Sequence, residues 1–452
     1  MAISPVFGQG AIFDEEVYNT LPRTAPLAAS SYEGLPSSFS LKQYAPLPGD
    51  QEDYGTCVGW AAGYAARTIS ESVALNRLNQ TETTQNAFSP IYIYRNIRPD
   101  DPTGRYGAQI YSALDLMREF GIAKMLEIER NLSFPNVQLT SYKNSRKYPI
   151  GGYVTLFSRD DRRKPALITR IVKKSLSEGK PVIIGMNTPY SFTGARNVWE
   201  PSESPERFYY GHALCVVGYD DNKYGGAFEV MNSWGRKWGN GGYMWIPYQT
   251  FVNFVKEGYE LIENIGIYSD TIRYEGFVRI DILDSNTFKS ADFFITREGY
   301  LKTVQNFLGG TRFRYVLGSS EKAYVYTFSV FEASDDNVFY SPSLLFPQPR
   351  VSALLNYSDS MIILPGDDAA LALNEQAGIE YIITLFSKQS LDIHGIMRDF
   401  ESARGTITKR LAAAVGDNLS TALIFNDEEA VFSLSLNNPY IVAALITAIE
   451  HH

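Results

Sequence analysis

Cysteine and histidine are the scarce residues of this chain, with two and four copies among 452 residues. Cys57 and Cys215 cannot build a disulfide framework, and only a single bridge between them stays open. The low cysteine count fits either a reducing compartment or an exported protein whose core needs no covalent cross-link. Asp220-Asp221-Asn222 begins like a calcium loop but lacks the later glycine and glutamate, so we predict a hairpin turn there, with no metal and no cofactor.

Excess positive charge and long apolar runs are also missing. The net charge is −9 and no basic stripe occurs, which argues against nucleic acid as a partner. No apolar run approaches the ~20 residues that a membrane span needs, and the nearest, residues 440–449, is predicted to form a core helix. Residues 1–17 show no basic head before an apolar stretch, so no signal peptide is visible. The compartment is left open, with export favoured if such a signal has been removed.

What the chain does have is enough apolar sequence for more than one core. Its 452 residues, 44% of them hydrophobic, suit two or three domains. Residues 1–34 are predicted to be an irregular N-terminal leader. Residues 35–267 show helical patterns first and strands later, which predicts an α+β domain. Residues 268–452 are predicted to be a β-rich accessory domain with a helical C-terminal part.

Hydrophobic periodicity and turn residues give the main elements of both regions. A long helix built from small residues is predicted over 57–79, and a shorter one over 112–120. In the first region, strands are predicted at 182–186, 213–219, 228–231 and 242–246. In the second region, strands are predicted at 276–283, 291–296, 312–317, 323–331 and 380–386, with a helix over 393–415 that Gly405 interrupts.

His212 opens the run 213–219, which has the apolar pattern of a strand covered on both faces. Cys215 follows three residues later, and side chains at that spacing point to opposite faces of a strand, so the two cannot pair locally. Cys57 starts a predicted helix, where free N–H groups and the helix dipole favour a thiolate. An adjacent imidazolium favours it further, so we predict that Cys57 and His212 form a thiol–imidazole pair.

Four motifs, in one order along the chain, resemble those of the papain-like (C1) cysteine peptidases. Gln51 stands six residues before Cys57, and Gly211-His212-Ala213 is followed by VVGYDD. Asn232-Ser233-Trp234-Gly235 comes next, and Gly107-Ala108 lies between the cysteine and histidine motifs. The resemblance covers about residues 35–265 and looks like a divergent bacterial type.

The resemblance implies a papain-like fold of two lobes, a helical lobe and a β-barrel-like lobe, and a peptide or protein as the substrate. It implies that Cys57 attacks an amide carbonyl, that His212 takes and returns the proton, and that Asn232 orients the imidazole. Gln51 would donate a hydrogen bond to the oxyanion. The residues expected to bind substrate are Gly107, Ala108 and Trp234.

Some positions depart from the family pattern. Val58 stands where a tryptophan is usual, Ala108 stands where a second glycine is usual, and the family's disulfides are absent. These departures leave open a catalytically silent module that binds peptides or glycans, and an amidase that transfers the acyl group. Each residue also has a structural alternative: a buried thiol at 57, a core histidine at 212, a turn at 232 and a solvated loop at 51.

Two regions outside the motifs carry weaker expectations. Residues 1–34 are long enough to lie across the cleft, and we expect them to have only a modest influence on turnover. The second region weakly resembles a bacterial accessory domain of unknown function, through residues 343–347, 364–365 and 378–388. That resemblance implies a β-rich interaction module with an unknown ligand.

Overall fold

The computed structural model describes residues 8–128, 146–158, 160–207, 209–263, 272–335, 338–420, 424–426, 430–436, 438 and 440–452. Contacts divide the chain into two compact units, the first comprising Met1–Arg23 and Gly34–Glu263 and the second Thr24–Glu33 and Asn264–His452. The predicted boundary between 267 and 268 and the first seven residues of the predicted leader lie outside the described residues. The rest of that leader supplies segments to both units.

The first unit combines helices with one antiparallel sheet, as the α+β prediction requires. Its α-helices are Glu15–Tyr18, Cys57–Gly59, Thr68–Ala74, Gln80–Gln85, Pro90–Ile97, Ile110–Glu119, Pro165–Ser177, Tyr190–Gly194 and Tyr248–Phe254. A π-helix spans Trp60–Arg67, and short 3-10 turns span Lys42–Tyr44, Met125–Glu127 and Asp160–Arg163. The strands are β1 (Ser38–Ser40), β2 (Gly152–Thr155), β3 (Val182–Thr188), β4 (Tyr210–Asp220), β5 (Ala227–Met231), β6 (Tyr243–Pro247) and β7 (Val255–Ile262).

The sheet of the first unit has the order β2-β7-β3-β4-β5-β6, with β1 paired to β4. Strand β4 is therefore central, and its residues from His212 to Tyr219 are buried. The predicted long helix is one continuous helical run that ends at Ala74, five residues before the predicted end. Its small residues allow the neighbouring helix Pro90–Ile97 to pack closely against it, since a methyl group added at Gly63 would lie 2.6 Å from the Ile93 side chain.

The second unit is mainly sheet. Its strands are β8 (Ile272–Asp284), β9 (Thr287–Ser290), β10 (Phe293–Ile295), β11 (Leu301–Thr303), β12 (Arg312–Ser319), β13 (Ala323–Ala333), β14 (Ser343–Phe346), β15 (Leu354–Leu355), β16 (Ser360–Leu364), β17 (Leu371–Ala372), β18 (Gly378–Ser387), β19 (Leu419–Ser420), β20 (Ile424–Asn426), β21 (Val431–Leu436) and β22 (Val442–His451). Its helices are Ile393–Ser402 and Ile407–Val415, with 3-10 turns at Ala29–Tyr32 and Gly416–Asn418.

These strands form two sheets, ordered β10-β11-β22-β18-β13-β14 and β16-β12-β8-β21-β20 along their main paths. One core cluster joins the two sheets, through residues such as Tyr315 of β12 and Ile382 of β18. A second cluster joins the other face of the first sheet to the two helices, through residues such as Ile383 and Phe400. The unit is thus built in three layers: sheet, sheet and helices.

The prediction of a core helix over residues 440–449 was wrong, because Val442–His451 forms a strand. Strand β22 lies between β18 and β11, and successive side chains face different cores. Ala443 and Leu445 belong to the cluster between the sheets, whereas Ala444 and Ile446 belong to the cluster under the helices. A strand covered on both faces is continuously apolar, and such a run cannot be told from a buried helix by periodicity alone.

Residues 24–33 of the predicted leader are built into the second unit. Ala25 and Leu27 belong to its inter-sheet core. The Ala28 N–H donates to the Met361 carbonyl at 2.7 Å, and the Met361 N–H donates to Ser31 Oγ at 2.9 Å. Within the part of the chain that the structure describes, no helix is long and apolar enough to span a membrane.

Tyr18 fixes the short helix Glu15–Tyr18 to the first unit. Its buried hydroxyl donates to the Phe157 carbonyl at 2.7 Å and accepts from the Gly258 N–H at 3.1 Å. Removing one partner of a buried hydrogen bond leaves the other unsatisfied, at a cost of about 1–3 kcal/mol. We therefore expect Tyr18→Phe to lower the free energy of unfolding by about 1–3 kcal/mol, measured by urea denaturation.

Tyr44→Phe is the matched control for this measurement. The Tyr44 hydroxyl makes a solvent-exposed contact with Asn76 at 3.4 Å. Its loss should change the free energy of unfolding by less than about 0.5 kcal/mol. Equal effects of the two substitutions would contradict the structural role of the Tyr18 hydroxyl.

Candidate active site

Cys57 begins the small-residue helix and is fully buried. The backbone N–H groups of Ala213 on β4 and of Gly10 in the N-terminal segment lie close enough to its thiol to lower the thiol's pKa. Ala213 is the residue after His212, so the fold brings the helix start and the histidine strand together at the sulfur. Cys57 and the strand that carries His212, 155 positions apart in sequence, are therefore neighbours in the fold.

The His212 ring is held by the residue predicted to orient it. Its Nε2 lies 2.7 Å from Asn232 Oδ1, and both side chains are buried. The Ser233 N–H donates to the same Oδ1 at 2.8 Å, which identifies that atom as the acceptor and makes Nε2 the donor. His212 Nδ1 is then the unprotonated nitrogen of the neutral ring, and it has no hydrogen-bond partner among the described residues.

Trp234 covers this pair. Its ring stacks on the His212 ring with centroids 4.6 Å apart and an interplanar angle of 27°. Trp238 packs edge-on against Trp234, with centroids 5.4 Å apart. An aromatic layer over the His212–Asn232 hydrogen bond keeps water from competing for it, so the orientation of the imidazole is maintained.

Gln51 is buried beside the site, and its amide is oriented by Ser233. The Ser233 hydroxyl donates to Gln51 Oε1 at 2.5 Å. Gln51 Nε2 donates to the Tyr54 carbonyl at 2.7 Å and to the Gly8 carbonyl at 3.2 Å. The donor predicted to serve an oxyanion is thus already occupied by a carbonyl oxygen of the N-terminal segment. The role of Ser233 was missed at the sequence level, although it stands next to Asn232.

Residues 8–13, which we call the strap, lie in the groove beside Cys57. The Ala108 N–H donates to the Gly10 carbonyl at 2.7 Å, and the Ile12 N–H donates to the Ala108 carbonyl at 2.9 Å. On the opposite side, the Ala11 N–H donates to the Gly211 carbonyl at 3.0 Å. The strap is therefore paired through its backbone to both walls of the groove, next to the thiol.

The strap lies this close to the groove walls because glycines occupy the positions where the two backbones meet. A methyl group added at Gly10 would lie 2.5 Å from the Gly55 carbonyl oxygen, and one added at Gly107 would lie 2.7 Å from the Gly10 carbonyl oxygen. Backbone atoms cannot move aside as a flexible side chain can. The three residues predicted to bind substrate all contact the strap: Gly107 by packing, Ala108 by hydrogen bonds and Trp234 by donating its indole N–H to the Gly8 carbonyl at 3.0 Å.

Burial governs the protonation of the site. Desolvation raises the pKa of the Cys57 thiol to about 11, although backbone N–H groups oppose the rise. Desolvation also lowers the pKa of the His212 imidazole to about 4, against the opposing hydrogen bond to Asn232. The helix start was expected to favour a thiolate, but the loss of water is the larger effect here. In this form the thiol and the imidazole are both neutral at pH 7.

Cys215 and His394 lie apart from this arrangement. On β4, Cys215 is opposite Ile183 whereas His212 is opposite Met186, so the two face different sides of the sheet. Both cysteines are free thiols, and no bridge joins Cys57 to Cys215. His394 lies near the start of the helix Ile393–Ser402 in the second unit. Among the described residues, no group of three or more acidic, histidine or cysteine side chains could hold a metal ion.

Comparison with known proteins addresses the same region. Residues 118–258 match the family described as papain family cysteine protease. A curated relative, the uncharacterized peptidase C1-like protein L477 of Acanthamoeba polyphaga mimivirus, is 27% identical over 260 residues, which span 52% of this chain and 76% of that protein. Both comparisons find that this region of the chain is similar to papain-like peptidases of the C1 family.

Solved structures of papain-like proteases also align with the chain. Xylellain, a cysteine protease from Xylella fastidiosa, is 19% identical, covers 57% of this chain and 97% of its own, and has a TM-score of 0.45. Bromelain from Ananas comosus, in complex with the E64 inhibitor, is 16% identical, covers 50% and 99%, and has a TM-score of 0.40. The family match at 118–258 includes His212 and Asn232 of the papain-like domain but begins beyond Cys57.

The neutral state of the site makes a prediction for thiol chemistry. Only the thiolate is alkylated, and its fraction rises about tenfold per pH unit below the pKa. The rate at which iodoacetamide modifies Cys57 in the intact chain at pH 7 should therefore be low, because the thiol is fully buried and its pKa is raised to about 11. Mass spectrometry of the modified peptides measures this rate, with Cys215, whose pKa is also raised by burial, as the internal reference. A fast, pH-independent reaction between pH 5 and 8 would instead indicate a preformed ion pair.

Proposed function

We propose that this protein is a cysteine peptidase that hydrolyses peptide bonds through Cys57, His212 and Asn232. The observation that carries the proposal is the hydrogen bond of 2.7 Å between His212 Nε2 and Asn232 Oδ1, which leaves Nδ1 as the basic nitrogen. The Cys57 thiol lies at the amide of Ala213, the next residue along β4. A thiol, a base and a group that orients the base are the requirements of a cysteine nucleophile.

The reaction follows from these groups. Cys57 Sγ gives its proton to His212 Nδ1 and attacks the carbonyl carbon of the scissile bond. The imidazolium then protonates the leaving nitrogen, the C–N bond breaks, and a thioester joins the acyl group to Cys57. His212 next takes a proton from water, whose oxygen attacks the thioester. The acid product leaves, and the proton returns to the sulfur.

Gln51 is the proposed oxyanion donor. Its Nε2 already donates to a peptide carbonyl, that of Gly8, and the Ser233 hydroxyl holds its Oε1. A donor fixed in this way needs no reorganisation when negative charge develops on the substrate oxygen. Loss of one such donor typically lowers turnover by about 10²–10³.

We also infer that the strap keeps the peptidase latent. It occupies the groove expected to bind substrate, and it occupies the hydrogen bonds of Gln51, Ala108 and Gly211. It also excludes water from the thiol and the imidazole, which favours the neutral pair over the reactive ion pair. When the strap leaves, rehydration should allow the thiolate–imidazolium pair to form. This inference replaces the expectation that the leader has only a modest influence.

The nucleophile is tested by substitution in the full chain. Cys57→Ala should abolish cleavage of a denatured protein such as casein, by at least about 10³-fold, because no other side chain at the site can form the acyl-enzyme. Cys215→Ala is the matched control, since Cys215 is equally buried but faces the other side of β4. Product peptides are quantified by mass spectrometry. Both variants and the parent are measured in a background that also carries Gly10→Val, a substitution expected to displace the strap and open the groove.

Other outcomes identify the alternatives. Equal cleavage by the two cysteine variants would contradict the proposed nucleophile. Peptide binding without cleavage by the parent would favour the catalytically silent module. Transfer of the acyl group to an added amine, in preference to water, would favour the amidase that acts as a transferase.

Latency is tested by a substitution whose side chain would clash with the groove wall when the strap is closed. Gly10→Val places a branched side chain against the backbone of Gly55, where even a methyl carbon would lie 2.5 Å from the carbonyl oxygen. We expect the strap to be displaced, the rate of Cys57 alkylation at pH 7 to rise at least tenfold, and casein cleavage to rise with it.

Gly194→Val is the matched control for the valine substitution. A methyl group at Gly194 would meet no heavy atom within 4 Å, and the residue lies in the same unit. Its alkylation and cleavage rates should stay within about twofold of the parent. If Gly10→Val leaves Cys57 as slow to react as the parent does, the strap does not control access to the thiol.

A further inference from the structure

A small cavity of about 10 Å³ lies next to Asn232, between the π-helix and the end of β5. The residues that line it and carry the argument are Trp60, Tyr64, Ala65, Asn232 and Ser233. Trp60 and Tyr64 are neighbours on the helix, with ring centroids 4.8 Å apart. A helical turn with i→i+5 hydrogen bonds is rare and frequently occurs at a functional site. The cavity therefore adjoins the segment that orients the imidazole of His212.

Two hydrogen-bond donors of the lining have no protein partner. Trp60 Nε1 and Asn232 Nδ2 are both buried, and neither makes a hydrogen bond to any residue that the structure describes. Asn232 Oδ1 is already used, because it lies 2.7 Å from His212 Nε2 and accepts from the Ser233 N–H at 2.8 Å. Buried polar groups are nearly always hydrogen-bonded, either to protein or to ordered water. The two donors therefore call for an acceptor from outside the chain.

Two hydroxyl oxygens of the lining complement these donors. The Tyr64 hydroxyl donates its proton to the Leu47 carbonyl at 2.7 Å, and the Ser233 hydroxyl donates its proton to Gln51 Oε1 at 2.5 Å. Each oxygen keeps a lone pair but has no second proton to give. The lining thus offers two donors and two acceptors to an occupant.

A water molecule matches this set in number, size and charge. It accepts two hydrogen bonds and donates two, and a cavity of roughly 10–15 Å³ is enough to hold it. Chloride would accept from the two N–H groups but would then face the lone pairs of the two hydroxyls. An ammonium ion would donate to the hydroxyls but could not accept from the N–H groups.

We propose that the cavity is an internal hydration site, and that Trp60 acts through the water bound there as a positioning residue for the Asn232 amide. The water holds Nδ2, while His212 and the Ser233 N–H hold Oδ1, so each polar atom of the amide has a partner. Ser233 also holds Gln51, so one molecule links the side chain that orients the imidazole to the proposed oxyanion donor. The positioning role rests on the proposed peptidase function, whereas the hydration site does not.

A crystal structure of the full chain tests the hydration site without turnover. At a resolution that shows ordered solvent, one water should lie about 2.7–3.2 Å from both Trp60 Nε1 and Asn232 Nδ2. A second crystal, in which bromide replaces the chloride of the buffer, should show no anomalous signal in the cavity. An empty cavity, or a bromide ion inside it, would overturn the assignment.

Two substitutions at Ala65 test whether the cavity needs hydrogen bonds or only volume. Ala65→Val and Ala65→Thr place side chains of the same shape beside the donors, but only threonine brings a hydroxyl. The cost of overpacking is shared, so it cancels when the two variants are compared. The equilibrium constant for unfolding, measured by urea denaturation, should be at least about tenfold larger for the valine variant. Equal constants, or a more stable valine variant, would contradict the need for a polar occupant.

Trp60→Phe tests the positioning role, because it removes the indole N–H. In the Gly10→Val background, kcat for a cleaved casein peptide should fall about tenfold with KM within about twofold, since Asn232 acts on the imidazole and not on the substrate. The hydrogen bond to Asn232 raises the pKa of His212. A less well held amide should therefore shift the alkaline limb of the pH profile of kcat/KM to lower pH, by at least about half a unit.

Trp245→Phe is the matched control. Trp245 lies on β6 in the same unit, is partly buried as Trp60 is, and packs against Lys223 away from the cavity lining. Its kcat and its alkaline limb should stay those of the parent. An unchanged alkaline limb in Trp60→Phe, or an equal shift in Trp245→Phe, would overturn the positioning role.

The same experiments separate this inference from the proposed function. Absence of cleavage by the Gly10→Val parent would overturn the peptidase, and the positioning role with it, while the crystal structure and the Ala65 pair would still decide the hydration site. Cleavage that Trp60→Phe leaves unaltered would overturn the positioning role alone.

Discussion

Exclusion of water from one thiol and one imidazole is the constraint on which this site depends. A charged sulfur–imidazolium pair needs solvation or compensating hydrogen bonds, and a buried site offers the charges too few of them. In this chain the cover is main chain: Gly8 and Gly10 approach so closely that their carbonyls and amides take the partners of Gln51, Ala108 and Cys57. The imidazole stays aligned by Asn232 and Trp234 throughout. The proposed catalytic residues and the segment that covers them therefore coexist in one structure.

The motifs allowed residues for the centre of the site to be proposed because they are local and chemically distinctive. A glutamine six residues before a cysteine at a helix start, and a histidine opening an apolar strand, can be recognised from short stretches. The strap could not be found in this way. Its contacts join residues 8–13 to partners 43 to 226 positions away and are made mostly by backbone atoms. Such contacts leave few marks in the sequence beyond the two glycines.

The same reasoning explains which elements of the fold were predictable. The four strands predicted in the first unit lie within a few residues of their predicted bounds, since turn residues separate the apolar runs, whereas β1, β2 and β7 were not predicted. The strand Val442–His451 was mistaken for a helix because its residues supply two cores at once, one on each face. A protonation state is harder still to anticipate. The helix start at Cys57 favours a thiolate locally, yet burial in the folded chain raises the pKa of the thiol to about 11.

The route of the chain before residue 34 has a consequence for dissecting this protein. The polypeptide contributes its strap and Tyr18 to the papain-like unit, gives residues 24–33 to the core of the other unit, and returns at Gly34. The two units therefore alternate along the sequence, and no single cut in the polypeptide can separate them into intact halves. A fragment that starts at Gly34 lacks the cover of the groove, and a fragment that starts after Glu263 lacks Ala25 and Leu27 from its core. Either truncation therefore removes part of the unit that is kept as well as the other unit. Studies of isolated units should be designed to retain these segments.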